Sequence, residues 1–162
     1  MAVDATIKIE GPPLEGESVL SGLEKQIDVL AWSWGVSQSG TMHVGTGGTG
    51  GKANVNDLSI TKYVDAASPN LFLFCCNGQH IDKVTLTCRK AGTEPLKYIE
   101  ILMEQAIVTS VSTGGSGGED RFTENVTFNF AKVKLTYTQQ ATKGGAKEKD
   151  IPMTWNIATN VK

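Results

Sequence analysis

Several short stretches of this 162-residue chain have residue types and spacings that could do chemistry. Gly45-Thr46-Gly47-Gly48-Thr49-Gly50 has the G-x-G-x-x-G spacing of a dinucleotide site, where a glycine turn brings a pyrophosphate onto the amides of a helix N-terminus. That chemistry needs a strand before the turn and a helix after it. Here Ala53-Asn54-Val55-Asn56-Asp57 heads toward a strand, so the stretch reads as a flexible loop. Gly51-Lys52 nearly completes a phosphate-binding P-loop, but Thr46 stands where glycine is required and Ala53 where a hydroxyl must hold magnesium. Gly114-Gly115-Ser116-Gly117-Gly118 fits the G-x-S-x-G elbow of serine hydrolases. Its serine would need a histidine base, yet His43 and His80 both precede it, and the strand-like Phe122 to Val126 follows instead of a helix. Cys76 and His80 are four apart beside Cys75, but a metal wants four ligands and Cys88 would have to swing in, so core packing is the better reading. Glu119-Asp120 beside Arg121 reads as a hairpin tip, and Glu100 and Glu104, with Leu102 and Ala106, read as one wet strand face. No catalytic constellation, metal site or cofactor site survives.

The elements that would position these residues are almost all strands. Val3, Ala5, Ile7 and Ile9 alternate with Asp4, Thr6 and Lys8, so the N-terminus reads as a strand rather than a Sec signal. Leu58, Ile60 and Val64 oppose Asp57, Ser59 and Thr61; Val84, Leu86 and Cys88 oppose Thr85, Thr87 and Arg89. Residues 97–111 put Ile99, Ile101, Met103, Ile107 and Val111 on one parity, which predicts an unusually long strand. In residues 125–138 the apolar set moves from Val126, Phe128 and Phe130 to Val133, Leu135 and Tyr137. A one-residue inversion of that kind predicts a bulge or bend near Ala131-Lys132. Residues 27–37 carry apolar side chains on both parities, which requires cover on two sides, within the chain or from another copy. Ile151, Met153, Trp155 and Ile157 form the last apolar parity. One short helix is predicted from Ser68, read as the N-cap, through Pro69 at the first helical position to Asn77-Gly78. It is apolar nearly all round, so it should brace a sheet. Residues 45–51, 112–120 and 139–150 read as loops.

Fifteen Lys and Arg against seventeen Asp and Glu leave a formal charge of −2. That argues against a nucleic-acid partner and leaves self-association unopposed. The longest apolar run, Leu71 to Cys76, is far below the ~20 residues of a membrane helix. Folding in the cytoplasm without membrane insertion is therefore expected, with Cys75, Cys76 and Cys88 as reduced thiols and Asn125-Val126-Thr127 an unused glycosylation sequon.

The stretch Ile27-Asp28-Val29-Leu30-Ala31-Trp32-Ser33-Trp34-Gly35-Val36-Ser37-Gln38-Ser39-Gly40 resembles the signature strand of Hcp, the haemolysin-coregulated tube protein family of bacterial type VI secretion. The resemblance continues through the glycines at 45–51, Val55-Asn56-Asp57-Leu58, Thr61-Lys62-Tyr63, Ser68-Pro69-Asn70-Leu71 and Arg89-Lys90-Ala91-Gly92. It runs on through Ser110 to Arg121, Thr123 to Thr127, Phe130-Ala131 and Trp155-Asn156-Ile157, covering essentially the whole chain in order. Leu23 departs from it, since the family often has histidine there.

This resemblance implies a mainly β domain over residues 1–162, a β-barrel formed by two packed sheets with one short α-helix at the side. It implies no enzyme and no cofactor. Six copies would close into a ring, and rings would stack into a tube that contractile sheath proteins propel behind a spike protein of the VgrG type. The lumen would shelter small secreted effectors, and the protein would leave the cell without a signal peptide. Within that frame the loop over residues 40–53 is expected to reach the adjacent ring, through Met42, His43, Val44, Gly45, Gly47, Gly48, Gly50, Gly51 and Lys52, with Met42 and Val44 supplying apolar contact. An untethered hairpin tip is the alternative. Ser33 is expected to face the lumen and touch cargo, or else to be small for close packing, while Trp32, Trp34 and Trp155 pack the barrel or a neighbouring subunit. The rival class is a monomeric barrel that holds a small ligand in an empty apolar interior.

Overall fold

The structure, a computed structural model, describes residues 3–92, 95–141 and 147–162. Its elements run in the order β1 (Val3–Glu10), β2 (Ile27–Asp28), β3 (Ala31–Ser33), β4 (Val36–Gly40), β5 (Gly50–Val55), β6 (Leu58–Tyr63), α1 (Ser68–Asn77), β7 (Ile81–Lys90), β8 (Leu96–Gly114), β9 (Thr123–Gln140) and β10 (Lys147–Asn156). Eight strands form one sheet in the order β2-β1-β7-β8-β9-β6-β3, with β10 branching onto β9; β4 and β5 form a second, two-stranded sheet. The mainly β class, the two sheets and the single short helix agree with the sequence reading.

Topology explains the curl. The end strands of the large sheet, β2 and β3, are separated in the chain only by Val29 and Leu30. Val29 N–H donates to Ala5 O on β1 at 2.9 Å, and Leu30 N–H donates to Thr61 O on β6 at 2.8 Å. One short stretch thus spans both edges, so the sheet must roll up on itself, although its ladder does not close into a complete hydrogen-bonded ring. The interior is filled by Ile7, Leu58, Leu86, Met103, Val126 and Phe128, all without solvent exposure. Each such side chain contributes about 1.5–3 kcal/mol by leaving water. These side chains occupy the space that a ligand-binding barrel would leave empty.

The bend predicted near Ala131-Lys132 is present, and it is shared. On β9 the buried apolar side chains are Val126, Phe128 and Phe130, with Glu124 on the same parity, then Val133. Neighbouring β8 inverts at the same level, with Ile101 and Met103 buried before the bend and Ala106 and Val108 after it. Gln105, at φ 53, sits in the left-handed region between the two halves. The sequence reading kept residues 97–111 on one parity and is corrected here. Ile107 is only half-buried, and Ala106, expected on a wet face, lies in the core. Both long strands kink together so that the same core stays covered across the corner.

The helix is where it was predicted, and Gly78 at φ 65 ends it with its N–H on Phe74 O. Its cap differs from the reading. Ala67 holds the cap position, and Asp65 Oδ1 accepts the Ala67 N–H at 3.0 Å, while the Ser68 hydroxyl turns toward the interior. Leu71 is buried beneath the helix, whereas Phe72 and Leu73 remain exposed, so only one side of α1 braces the sheet.

The loops are shorter than expected. Gly50 and Gly51 belong to β5, Ser112 to Gly114 to β8, and Gln139 and Gln140 to β9; Lys147 to Asp150 open β10. The rest of the expected 139–150 loop lies mostly at 142–146, outside the described residues.

Candidate assembly surfaces

The paired strands β4 and β5 leave the barrel as an arm. Val36↔Val55, Ser37↔Asn54, Gln38↔Ala53 and Gly40↔Gly50 set its register. Among the described residues no other strand lies beside it in that sheet. Its tip is organised by Thr41, whose N–H and Oγ1 both donate to Thr49 O, at 3.2 and 3.0 Å, while Oγ1 accepts the Thr49 N–H at 3.1 Å. Gly47 takes φ 82, and a Cβ on Gly48 would sit 2.9 Å from the Met42 Cα, so the tip turns too tightly for side chains there. Met42 is 77 % exposed, and His43, Val44 and Gly45 are exposed with it. The structure places Gly50, Gly51 and Lys52 in the β5 stalk rather than in the tip. No helix follows the glycines, which removes the phosphate-binding reading. Residues 115–122 likewise join strand to strand, so Ser116 sits in an exposed hairpin connection and not on an elbow. Arg121, beside Glu119 and Asp120, lays its guanidinium 4.0 Å from the centre of the Tyr63 ring.

Trp34 roots the arm. Its Nε1–H donates to Asn56 O at 2.9 Å, and its ring lies 6.3 Å from that of Phe130. The Asn56 N–H donates to Gly35 O at 3.0 Å. Trp32 and Trp155 are, like Trp34, half-buried and packed on the core.

Ser33 lies on the opposite face of β3 from Trp32 and is exposed. Its cross-strand row is Ser33↔Ser59 on β6, Ser59↔Thr127 on β9 and Thr127↔Ser110 on β8. The next row is Ala31↔Thr61, Thr61↔Asn125 and Asn125↔Ser112. Thr61 Oγ1 donates to Asn125 Oδ1 at 2.7 Å, and Ser110 and Thr127 hydroxyls are 2.6 Å apart. These two rows form a carpet of small hydroxyl and amide groups without a formal charge. Beyond the kink the same strands present a different exterior. There Glu10↔Lys83, Lys83↔Glu104 and Glu104↔Lys132 alternate in sign across β1, β7, β8 and β9.

The apolar face outruns its cover. On β10, Ile151 pairs with Tyr137 and Met153 with Leu135, and Tyr137 pairs with Ile99 on β8. These positions continue the core-facing parity of Ile101, Met103 and Val133, yet Ile151 is 46 % and Met153 40 % exposed. The final apolar parity therefore does not end in the core of one chain. On another part of the surface Leu30 and Val36, from the stretch with apolar residues on both parities, are about half exposed.

Two groups of residues gained a role only in three dimensions. Lys62 and Glu124, register partners on β6 and β9, are buried together. The Lys62 ammonium donates to Glu124 Oε1, to Tyr63 O at 2.8 Å and to Ser68 Oγ at 3.1 Å, and lies 3.0 Å from Asp65 Oδ1. Ser68 Oγ donates to the same Glu124 oxygen at 2.5 Å. This network pins the start of α1 to the sheet. The readable signal was a lysine on the apolar parity of Leu58 and Ile60, matched by a glutamate on that of Val126 and Phe128. Asp57 is the second case: it bonds Thr109 and Asn129 at the foot of the arm. The cysteines are three free thiols, Cys75 half-buried, Cys76 exposed and Cys88 buried. Burial pushes the Cys88 thiol above the ordinary thiol range, with the Trp32 indole opposing that shift in part.

Residues 6–137 match the model of the type VI secretion system effector family Hcp. The chain is 52 % identical to the protein hcp1 of Pseudomonas aeruginosa, over the whole of this chain and 99 % of that one. It superposes on the crystal structure of Hcp1 from Salmonella typhimurium with a TM-score of 0.79 at 36 % identity, covering 99 % of each chain. A structure described as a type six secretion system protein gives a TM-score of 0.91 at 30 % identity, covering 98 % of each. The matched span, the identity over the full length and the shared architecture make this chain a member of the Hcp family of type VI secretion proteins.

Proposed function

We propose that this chain is a structural tube subunit: copies close into a six-membered ring, rings stack, and the stack is the tube of a type VI secretion system. The observation that carries the reading is the apolar sheet face that continues past its own core at Leu135, Tyr137, Ile151 and Met153. A second copy that brings its Leu30–Val36 flank against this face would complete the burial. The two patches differ, so the contact is heterologous, and a heterologous contact closes into a ring when its rotation allows. The near-neutral charge of −2 leaves such packing unopposed.

Family membership supports the wider assembly. The uncharged rows around Ser33 suit the channel wall, where small effectors would pass or bind, and the alternating charges suit the outer wall toward the contractile sheath. The arm tip, with Met42 and Val44, suits contact with the adjacent ring, and the end of the stack would meet a spike protein of the VgrG type. The finished tube would carry the protein out of the cell. No step of this function is catalytic; the chain works by burying surface against copies of itself.

The test is particle mass. By native mass spectrometry and negative-stain imaging the wild-type chain is expected as hexameric annuli. An Ile151→Glu/Met153→Glu variant is expected as single chains with an unchanged circular dichroism spectrum. Wild-type protein that remains a single chain at every concentration, without annular images, overturns the reading.

A further inference from the structure

The foot of the arm is tied to the barrel by a side-chain bracket that the assembly reading does not use. We infer that Asp57 is a positioning residue: it fixes the direction in which the arm leaves the barrel, and through it the arm's reach to a neighbouring ring. The second half of that statement rests on the proposed tube function; the first does not.

The geometry is local. β4 and β5 leave the barrel between Trp34-Gly35 and Asn56-Asp57. The outgoing side is held by Trp34, through Asn56 O and Phe130. The returning side is held by Val55, partly buried against the core, and by the half-buried Asp57, whose Oδ1 accepts Asn129 Nδ2–H on β9 at 2.8 Å and whose Oδ2 accepts Thr109 Oγ1–H on β8 at 2.8 Å.

Thr109 is where it is because β8 is irregular there. Val108 pairs with Phe128 and Ser110 with Thr127, which leaves Thr109 as an extra residue in a bulge. A bulge re-aims a side chain that the regular pleat would point elsewhere. Its hydroxyl lies 2.8 Å from Asp57 and 2.7 Å from Thr127 Oγ1. A bidentate carboxylate bridging two strands fixes both distance and angle, which a single bond does not.

The test uses the full-length chain with Cys75, Cys76 and Cys88 replaced by Ser, Ser and Val. Spin labels go on Thr46→Cys at the arm tip and Lys8→Cys on the barrel. Labelled copies are diluted into unlabelled ones, so that pulsed dipolar spectroscopy reads the distance within one chain. Without further change the distribution is expected to be narrow. Asp57→Ala loses the narrow peak while its unfolding midpoint stays near the parent's, and its tubes grow poorly. Asp57→Asn keeps the narrow peak, since its amide oxygen still accepts from Asn129 and its amide nitrogen donates to Thr109 Oγ1, whose proton then goes to Thr127. A narrow peak in Asp57→Ala, or a broad one in Asp57→Asn, overturns the inference. So does normal tube growth in Asp57→Ala when removal of residues 45–51 stops growth. If tubes grow without residues 45–51 as well, the arm's role between rings fails, while the distance measurement still decides what Asp57 does.

Discussion

Replacing Lys62 with methionine probes the buried network at its centre. Methionine keeps most of the volume, so the cost is electrostatic rather than a cavity. The lysine side chain is fully buried and that of Glu124 is 1 % exposed. Removing the ammonium leaves Glu124 with only the Ser68 hydroxyl, at 2.5 Å on Oε1. The second carboxylate oxygen, Oε2, already has no partner. Asp65, 6 % exposed, also loses its cation but keeps the Ala67 N–H. Breaking a buried pair from one side costs about 3–5 kcal/mol, because an uncompensated charge stays behind. For a chain of this size that lowers the melting temperature by roughly 6–20 °C. Lys62→Met/Glu124→Leu removes both charges and should recover to within about 2 kcal/mol of wild type, the remainder belonging to Asp65 and Ser68. The assay is urea unfolding of the wild type, both single variants and the double, at matched protein concentrations, since any assembly adds concentration-dependent stability. A Lys62→Met variant within about 1 kcal/mol of wild type, or a double variant as unstable as the sum of the singles, refutes the reasoning.

Four further outcomes are expected. Removal of residues 45–51 should leave annular particles intact in electron micrographs but stop tube growth, and unchanged tubes would show that the tip bridges nothing. Ser33→Gln should still form rings yet reduce co-purification of at least one small effector, because the longer amide projects from the uncharged face; normal loading of every effector would count against a cargo role. In the folded protein at pH 8 iodoacetamide should modify the exposed Cys76 and spare Cys88 until unfolding, read by peptide mass spectrometry. The raised Cys88 pKa also has a sign: above the ordinary thiol range the unfolded chain ionises and the folded one does not, so this group's contribution falls as pH climbs further. A Cys88→Val variant should lose that part of the alkaline decline in stability.

Most elements were legible because period-two alternation and turn chemistry are local. Pro69 and Gly78 bracket the helix, and the parity change around Ala131 announces the bend in β9. The matching inversion in β8 was hidden by Ile107 and Val108, adjacent apolar residues that make either parity look buried, and by a left-handed glutamine that no residue preference signals. Glycine weakens a strand signal, so the arm reads as loop, yet Gly50 pairs with Gly40 of β4 and Gly51 follows it in β5, where a Cβ on Gly51 would lie 2.4 Å from the Ser39 hydroxyl. Asp57 could not be read at all: its partners are 52 and 72 residues away, and only a bulge brings the nearer one into line.

The corner at Gln105 and Ala131 does more than preserve the core. Because β8 and β9 both pass through it, two strands build two exteriors of opposite character. On one side lie Ser33, Ser59, Thr127 and Ser110, with the Asp57 carboxylate at their border held by Thr109 and Asn129; on the other lie Glu10, Lys83, Glu104 and Lys132. A monomer in water gains nothing from segregating charge in this way, since either exterior is soluble. A wall with an inside and an outside does gain. Uncharged hydroxyls offer a passing chain hydrogen bonds of about 1 kcal/mol that water replaces easily, whereas a fixed charge facing an enclosed lumen would hold or repel cargo by its sign. Alternating charges across neighbouring strands attract one another instead, and keep an outer surface wetted without building up a net field. The kink therefore couples the packing of the barrel to the division of its surface, and a substitution that straightened β8 at Gln105 would disturb both together.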